Sequence, residues 1–260
     1  MHSSDHCLNC QSPADQAYCP VCGQKTDTHR ITVKHFVLHD LLHGVWHLEK
    51  GIWFTLKETL FRPGYAAVNY IEGRRVRYYN IFYLTLLVLG FILLLSHWQH
   101  KLYPAEGDII QFEGDGTVLK HFFETWSKPL IFSFVPFTAA CAWIVFRRLR
   151  YNFAEHNIIG GFCLLAITLY IALETIVSLL PPDGKISGPV IDWSSQIITI
   201  LILLQPLICY RQVAKKKYTT GGFIWRIVLL YLLMILAFIL LVFVCMAIVS
   251  KGNFDGRFSL

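Results

Sequence analysis

Long uninterrupted apolar stretches dominate the hydrophobic pattern of the chain. Five of them approach or exceed the roughly 18 to 20 residues that a helix needs to cross the hydrocarbon layer of a membrane. Inside lipid, backbone amides of such segments can be satisfied only within helices. The pattern therefore predicts an all-α integral membrane protein with five transmembrane helices, at Tyr79–His97, Pro129–Phe146, Asn157–Leu180, Trp193–Tyr210 and Phe223–Ser250.

The composition agrees with a membrane protein. Of the 260 residues, 55% are hydrophobic and 15% are charged, whereas a soluble domain has about 25% charged residues. These values exclude a disordered chain and a small disulfide scaffold. The fourth stretch holds Gln196, Gln205 and Pro206, so a buried amphipathic helix is the alternative there.

Basic residues gather beside alternate ends of the stretches. They precede the first stretch and follow the second and the fourth, whereas the intervening loops 97–128 and 181–192 are richer in acidic residues. Cytoplasmic loops are enriched in Lys and Arg, so the N-terminus is predicted to be cytoplasmic and the C-terminus external. The basic residues are Arg62, Arg74, Arg75, Arg77, Arg147, Arg148, Arg150, Arg211, Lys215, Lys216 and Lys217.

Four cysteines near the N-terminus have the spacing C-x2-C-x8-C-x2-C. Two tight pairs can surround one tetrahedral ion, and four thiolates leave no open coordination position for catalysis. Two disulfides would require an oxidising compartment, contrary to the predicted orientation, and an iron–sulfur cluster is a further alternative. The spacing predicts one structural Zn²⁺ held by Cys7, Cys10, Cys19 and Cys22.

Residues 31–78 link this predicted ribbon (1–30) to the transmembrane domain (79–250), which ends in a short external tail (251–260). Ile31–Phe61 has the pattern of two amphipathic helices, which Pro63 and Gly64 interrupt. An in-plane position at the membrane surface and packing against the cytoplasmic helix ends would both bury the apolar face.

A histidine series in this linker is a candidate second metal site. Its members recur every four residues, so neighbours on a helix diverge by only about 40° and could share an ion. The outer two diverge by about 120°, and a polar interfacial face that responds to pH is the alternative. The series consists of His35, His39, His43 and His47.

Several motifs resemble those of a known family. They are Cys7-Leu8-Asn9-Cys10, Tyr18–Lys25, Arg62-Pro63-Gly64, Tyr70–Arg75 and Tyr78-Tyr79. The chain resembles an uncharacterised, domain-of-unknown-function family of bacterial multi-pass membrane proteins with a short N-terminal zinc ribbon. The resemblance implies the same architecture in a bacterial cytoplasmic membrane, and it implies no activity.

Polar residues near the membrane offer three further hypotheses. Arg62, Arg74, Arg75 and Arg77 could bind lipid phosphate, or could simply anchor the topology. Glu174 is an ionisable residue well inside a crossing, and it could face Gln196 or Gln205 in a transporter or channel. Glu155 and His156 could form an acid/base pair of a lipid-acting enzyme, or a capping and anchoring pair at the start of a helix, where Asn157 is the better N-cap.

These observations favour a non-catalytic function. We expect an adaptor or regulatory protein whose zinc ribbon and basic linker contact a cytoplasmic protein or anionic lipid. The net charge of +6 is explained by basic loops beside an anionic leaflet, so no nucleic-acid partner is expected. No catalytic residue is assigned, and the oligomeric state is not predicted.

Overall fold

The computed structural model describes residues 6–26, 51–103, 133–181, 187–215 and 217–251, without the side chains of residues 187 and 245–251. Within these ranges the chain is helical and has no β-strand, apart from isolated bridges near the N-terminus. The helices are α1 (Ile52–Phe61), α2 (Pro63–Ile71), α3 (Ile81–Leu102), α4 (Ser133–Val145), α5 (Phe153–Val177), α6 (Ser187–Ala214) and α7 (Thr220–Lys251), with a 3₁₀ turn at Arg147–Leu149.

Helix α5 lies at the centre of the bundle. Each step along an α-helix turns by about 100°, so successive residues of α5 can face different helices. Four of them do so: Ile159 meets Cys209 of α6, Gly160 meets Val135 of α4, Gly161 meets Phe82 of α3, and Phe162 meets Tyr70 of α2. Helices α2, α3, α4 and α6 therefore pack around the first half of α5.

Among the residues that the structure describes, four helices are long and apolar enough to cross a membrane: α3, α5, α6 and α7. The described part of α4 has 13 residues, which rise about 20 Å against a hydrocarbon layer of about 30 Å. The described residues thus confirm an all-helical fold with four candidate membrane spans, and they do not confirm the count of five.

The predicted start of the third stretch was wrong by four residues. Helix α5 begins at Phe153, because Asn152 is its N-cap. The Asn152 side chain accepts a hydrogen bond from Glu155 N (2.8 Å), and the Glu155 carboxylate accepts one from Asn152 N (2.7 Å). This reciprocal pair is a capping box. Asn157, the predicted cap, lies inside the helix and donates to the Phe153 carbonyl instead.

The linker residues that the structure describes form a helical hairpin, α1–α2. Arg62 leaves the helical conformation (φ −144°, ψ 52°), and Pro63 then starts α2. Gly64 is needed for close packing, because an added Cβ would overlap the Cys209 carbonyl oxygen of α6. The predicted break is therefore present, but it separates two packed helices. Residues 31–50 lie outside the described ranges.

The first helix of the hairpin, α1, is polar on its buried side. Helix α1 buries Thr55 and Thr59, while Trp53 and Phe61 are 85% and 68% exposed. Such an arrangement is the reverse of a soluble amphipathic helix, and it suits a helix whose outer face meets lipid. In the described part of the predicted amphipathic segment, residues 52–61, helix α1 packs against α5, as the packing alternative expected, and its partner α2 packs against α5 and α6.

The basic loops meet at one end of the bundle, here called the basic end and formed by residues 72–80, 147–152, 211–215 and 217–219. Lys217 Nζ donates to the Leu149 carbonyl at 2.8 Å, which ties two of these loops together. At the opposite end, the Tyr103 hydroxyl donates to the Leu179 carbonyl at 3.4 Å. Helices α3 and α5 therefore run in the same direction, away from the basic end.

Candidate metal centre and its docking turn

The four N-terminal cysteines converge on one point. Their sulfur atoms all lie within 4.8 Å of one another, and the Cys7–Cys22 and Cys10–Cys19 pairs are 3.5 Å apart. A tetrahedral ion with sulfur ligands at 2.3 Å requires sulfur–sulfur separations of about 3.8 Å. The donor set thus fits one thiolate-bound metal ion, as the spacing predicted, and geometry alone does not identify the metal.

The two cysteine pairs sit on turns that repeat each other twelve residues apart. Cys7 N donates to the Ser12 carbonyl, and Gln11 N to the Cys7 carbonyl; Cys19 N and Gly23 N make the matching bonds to Gln24 and Cys19, all at 2.8 Å. Gln11 (φ 63°) and Gly23 (φ 73°) occupy the same left-handed position in the two turns. The repeated turn aims both sulfur pairs at a shared centre.

Little besides sulfur fills the interior of this ribbon. Its buried apolar cluster consists of Cys7, Cys19 and Ala14, with Cys10 and Cys22 at the edge. Burial raises the pKa of the Cys7 thiol to about 11. The Cys10 sulfur lies 2.9 Å from the Ser12 hydroxyl, and this hydrogen bond lowers the pKa of the Cys10 thiol to about 6. A metal ion must displace the Cys7 proton, so its affinity rises with pH.

The ribbon docks on the turn that joins α2 to α3. The Gln24 side-chain amide donates to the Gly73 carbonyl at 2.7 Å in a buried contact. Gly73 has φ +99°, and a Cβ there would come within 2.7 Å of Leu8 Cδ1. Arg77 donates to the Asn9 carbonyl at 3.4 Å. The same turn meets the start of α1, so the ribbon, the turn and the hairpin form one assembly.

The four candidate phosphate-binding arginines are not brought together. Arg74 donates to the Asn69 side chain at 3.0 Å, and Arg75 donates to the Tyr70 carbonyl and lies over its ring. Arg77 contacts the ribbon, as described above. Arg62 is exposed at the other end of α2, which is nine residues long. Three of these arginines therefore shape the docking turn.

Comparison with known protein families finds a match in this part of the molecule. Residues 49–91 match a family described as "Protein of unknown function (DUF3667)". The matched segment contains the hairpin, the docking turn and the first half of α3, but not the cysteine cluster. No curated protein and no solved structure matches the chain.

The intramembrane carboxylate has a different partner from those expected. Glu174 accepts a hydrogen bond from the Ser195 hydroxyl at 2.7 Å, across the interface of α5 and α6. Gln196 is exposed on α6, and the side chain of Gln205 has no hydrogen-bond partner among the described residues. The helical phase of α6 explains the difference, because Ser195 faces α5 and its neighbour Gln196 points away.

Glu155 and His156 are adjacent in sequence but face different neighbours. The carboxylate of Glu155 belongs to the capping box, and the residue is 3% exposed. His156 is 1% exposed, stacks on Tyr210 and lies 3.4 Å from its hydroxyl through Nδ1. Both side chains help to join α5 to its surroundings. The histidine series His35, His39, His43 and His47 lies outside the described residues.

Several residues with specific roles were not singled out by sequence reasoning. Leu8, Asn9 and Gln24 make the docking contacts, whereas in the sequence they stood out only as members of the motifs that resemble a known family. Gln212 accepts a hydrogen bond from Gly64 N at 2.9 Å. The sequence had placed this position in a loop, because its neighbour Arg211 belongs to a predicted basic loop. Gly73, which precedes several arginines, was the residue that could have indicated the docking contact, because a glycine allows close approach of another segment to the backbone.

Proposed function

We propose that the chain is a non-catalytic adaptor of a bacterial cytoplasmic membrane. Its zinc-bound ribbon, seated on the docking turn, presents a surface to a cytoplasmic protein. The observation that carries this proposal is the orientation of the ribbon: Gln24 and Leu8 face the turn, while Tyr18 and Val21 are 60% and 71% exposed. Exposed aromatic and aliphatic side chains on a rigid module suit protein recognition.

The nature of the cysteine site supports a structural role. Four thiolates complete a tetrahedral shell, and zinc is the usual ion in such a site. When bound, Zn²⁺ would hold the two turns together in place of a hydrophobic core. Cys7, Cys10, Cys19 and Cys22 would supply all of its ligands. Glu155 and His156, the candidate enzyme pair, are already engaged in helix packing.

The direction of the helices supports five crossings. Helices α3 and α5 both run away from the basic end, so the chain must return between them. Helix α4 (Ser133–Val145) is the described part of that return. The count of five gives a cytoplasmic N-terminus and an external C-terminus, and it places the basic end beside the anionic inner leaflet.

Photo-crosslinking from the ribbon tests the adaptor proposal. A photoreactive amino acid at position 21, in the full-length chain in cell membranes, should yield a discrete protein adduct. Leu236, which is 63% exposed on α7, is the control position and should yield lipid adducts only. Position 21 giving lipid adducts or none would overturn the proposal.

Metal content provides the companion measurement. We expect one zinc ion per purified chain, and Cys19→Ser should lose both the zinc and the protein adduct at position 21. Cys141→Ser, which removes a buried cysteine of α4, should keep both. Retention of the adduct without metal would separate partner binding from the folded ribbon and contradict the proposed mechanism.

A further inference from the structure

We propose that the tip of the α1–α2 hairpin forms, together with α5 and α6, a buried polar site for a small uncharged molecule that carries both a hydrogen-bond donor and an acceptor. Water is the smallest such molecule, and short polyols belong to the same class. The proposal rests on two independent observations, the capped helix ends at the tip and the unpartnered polar atoms beside them.

The break at Arg62 leaves backbone groups of both helices in need of partners. At the end of α1, the Leu60 carbonyl accepts a hydrogen bond from the Tyr170 hydroxyl of α5 at 3.2 Å. At the start of α2, Gly64 N and Tyr65 N donate to the Gln212 side chain of α6, at 2.9 and 3.3 Å. Polar side chains of two long helices thus converge on the tip.

Both ends of the hairpin start at the basic end, and the tip contacts α5 and α6 on its inner side only, since Phe61 and Arg62 are exposed. At its entry, Gly51 is packed against the Arg77 carbonyl, and at its exit Gly73 meets the ribbon. Helix α2 has nine residues, so the tip lies about 13 Å from the basic end. Irregular backbone at such a depth is tolerated only where protein or a hydrated site surrounds it.

Two buried side chains near the tip have polar atoms without partners among the described residues. Neither the nitrogen nor the oxygen of the Gln205 side-chain amide is paired, and the Thr59 hydroxyl is also unpaired. Both residues are 0% exposed. Leaving such groups unpaired costs free energy, so a bound molecule that pairs with them stabilises the fold.

Helical register places these groups at the tip. Gln205 precedes Gln212 by seven residues, so the two lie on the same face of α6, which Gly64 contacts. Helix α5 pairs with α6 through His156–Tyr210 and Glu174–Ser195, and this antiparallel pairing sets Gln205 about level with Cys163, between those contacts. Thr59 directly precedes Leu60, whose carbonyl Tyr170 caps.

The chemistry of the lining selects the class of ligand. Thr59, Tyr170, Gln205 and Gln212 offer hydroxyl and amide groups, and none of them carries a charge. A charged ligand would lose its hydration here without a counter-charge, at a large free-energy cost. A molecule with one donor and one acceptor can pair with both ends of the Gln205 amide.

Cysteine accessibility tests the site. Gln205→Cys, in a chain with Cys163→Ala and Cys209→Ala, is treated in membrane vesicles with a small uncharged methanethiosulfonate, which reacts with a water-exposed thiolate. We expect labelling at least about tenfold faster than at the matched variant Ile198→Cys, which lies seven residues earlier on the same buried face. Labelling no faster than at position 198 would overturn the proposal.

Glycerol distinguishes the size of the occupant. If molar glycerol slows labelling at position 205 but not at Lys215→Cys, a polyol enters the site. Unprotected but rapid labelling supports the site with water as its occupant.

A second variant covers the case in which the cysteine chain fails to fold. Gln205→Leu in the otherwise unchanged chain removes the amide. If the amide binds a molecule, this variant should melt at the same or a lower temperature than the parent. A higher melting temperature would show that the amide was merely unsatisfied, and would overturn the proposal.

Discussion

Helices α5 and α7 are both long and apolar, yet their surroundings differ sharply. Within the membrane-length window, 61% of α5 is buried against protein, compared with 11% of α7. Helix α7 is nevertheless the more apolar of the two. In lipid an apolar side chain can face the hydrocarbon as well as another helix. The residues that are buried against protein must therefore be recognised from other features of the sequence.

Small and polar residues are those features. In α5, Gly160 and Gly161 admit the neighbouring helices to close contact, and His156 is buried against Tyr210. The exposed face of α7 is built from large apolar residues such as Leu236 and Phe243. Side chains that lipid does not accommodate mark the centre of this bundle.

The largest expected effect comes from removing a central aromatic ring. Phe162 is 0% exposed and packs against Tyr70 and Tyr78. Phe162→Ala should lower the free energy of unfolding by about 3 kcal/mol, because the cavity cannot be refilled. Phe243→Ala on α7, at 69% exposure, should change it by less than about 0.5 kcal/mol. Unfolding in detergent, followed by tryptophan fluorescence, measures both; equal losses would contradict the difference between the two helices.

Enlarging a glycine should have an intermediate effect. A Cβ at Gly160 would lie 3.2 Å from the Val135 carbonyl oxygen, so Gly160→Leu must push α4 away. We expect a loss of about 1–3 kcal/mol. At Gly221 of α7 nothing lies within 4 Å of the added Cβ, so Gly221→Leu should be neutral or slightly stabilising. Thermal unfolding of the two variants provides the comparison, and a loss at Gly221 as large as at Gly160 would count against it.

The smallest expected effect concerns the helix starts. Asn152→Ala removes one half of the capping box of α5 and should lower the free energy of unfolding by about 1 kcal/mol. Thr219 accepts a longer, exposed hydrogen bond from Gly222 N (3.3 Å) at the start of α7. Thr219→Ala should therefore lower the free energy of unfolding by only a few tenths of the loss expected for Asn152→Ala. Chemical denaturation resolves the two, and the reverse ranking would be inconsistent with a tighter α5.

The sequence was sufficient for the helices of the bundle and for the cysteine site. Long apolar stretches leave the backbone no alternative to helix, and paired C-x2-C turns aim sulfur atoms at a common point without help from the rest of the fold. Both predictions depend on local chemistry. Helix limits were less accurate, because Asn152 and Asn157 are equally good caps until the packing is known.

Contacts between distant segments could not be predicted in this way. The pairing of Gln212 with the start of α2 joins residues 148 positions apart, and no periodicity encodes it. Ser195 rather than Gln205 binds Glu174 because of the phase of α6, which hydropathy does not report. The docking of the ribbon likewise depends on Gly73, whose role becomes visible only with Leu8 beside it.

The joint between Gln24 and Gly73 has a consequence for biosynthesis. Its two residues are 49 positions apart, and a ribosome releases the earlier one first. The cysteine cluster can therefore bind a metal ion while the membrane helices are still being made. The docking turn on which the ribbon packs exists only after the hairpin has been translated. A shortage of metal would then act on the nascent chain, before insertion of the bundle is complete.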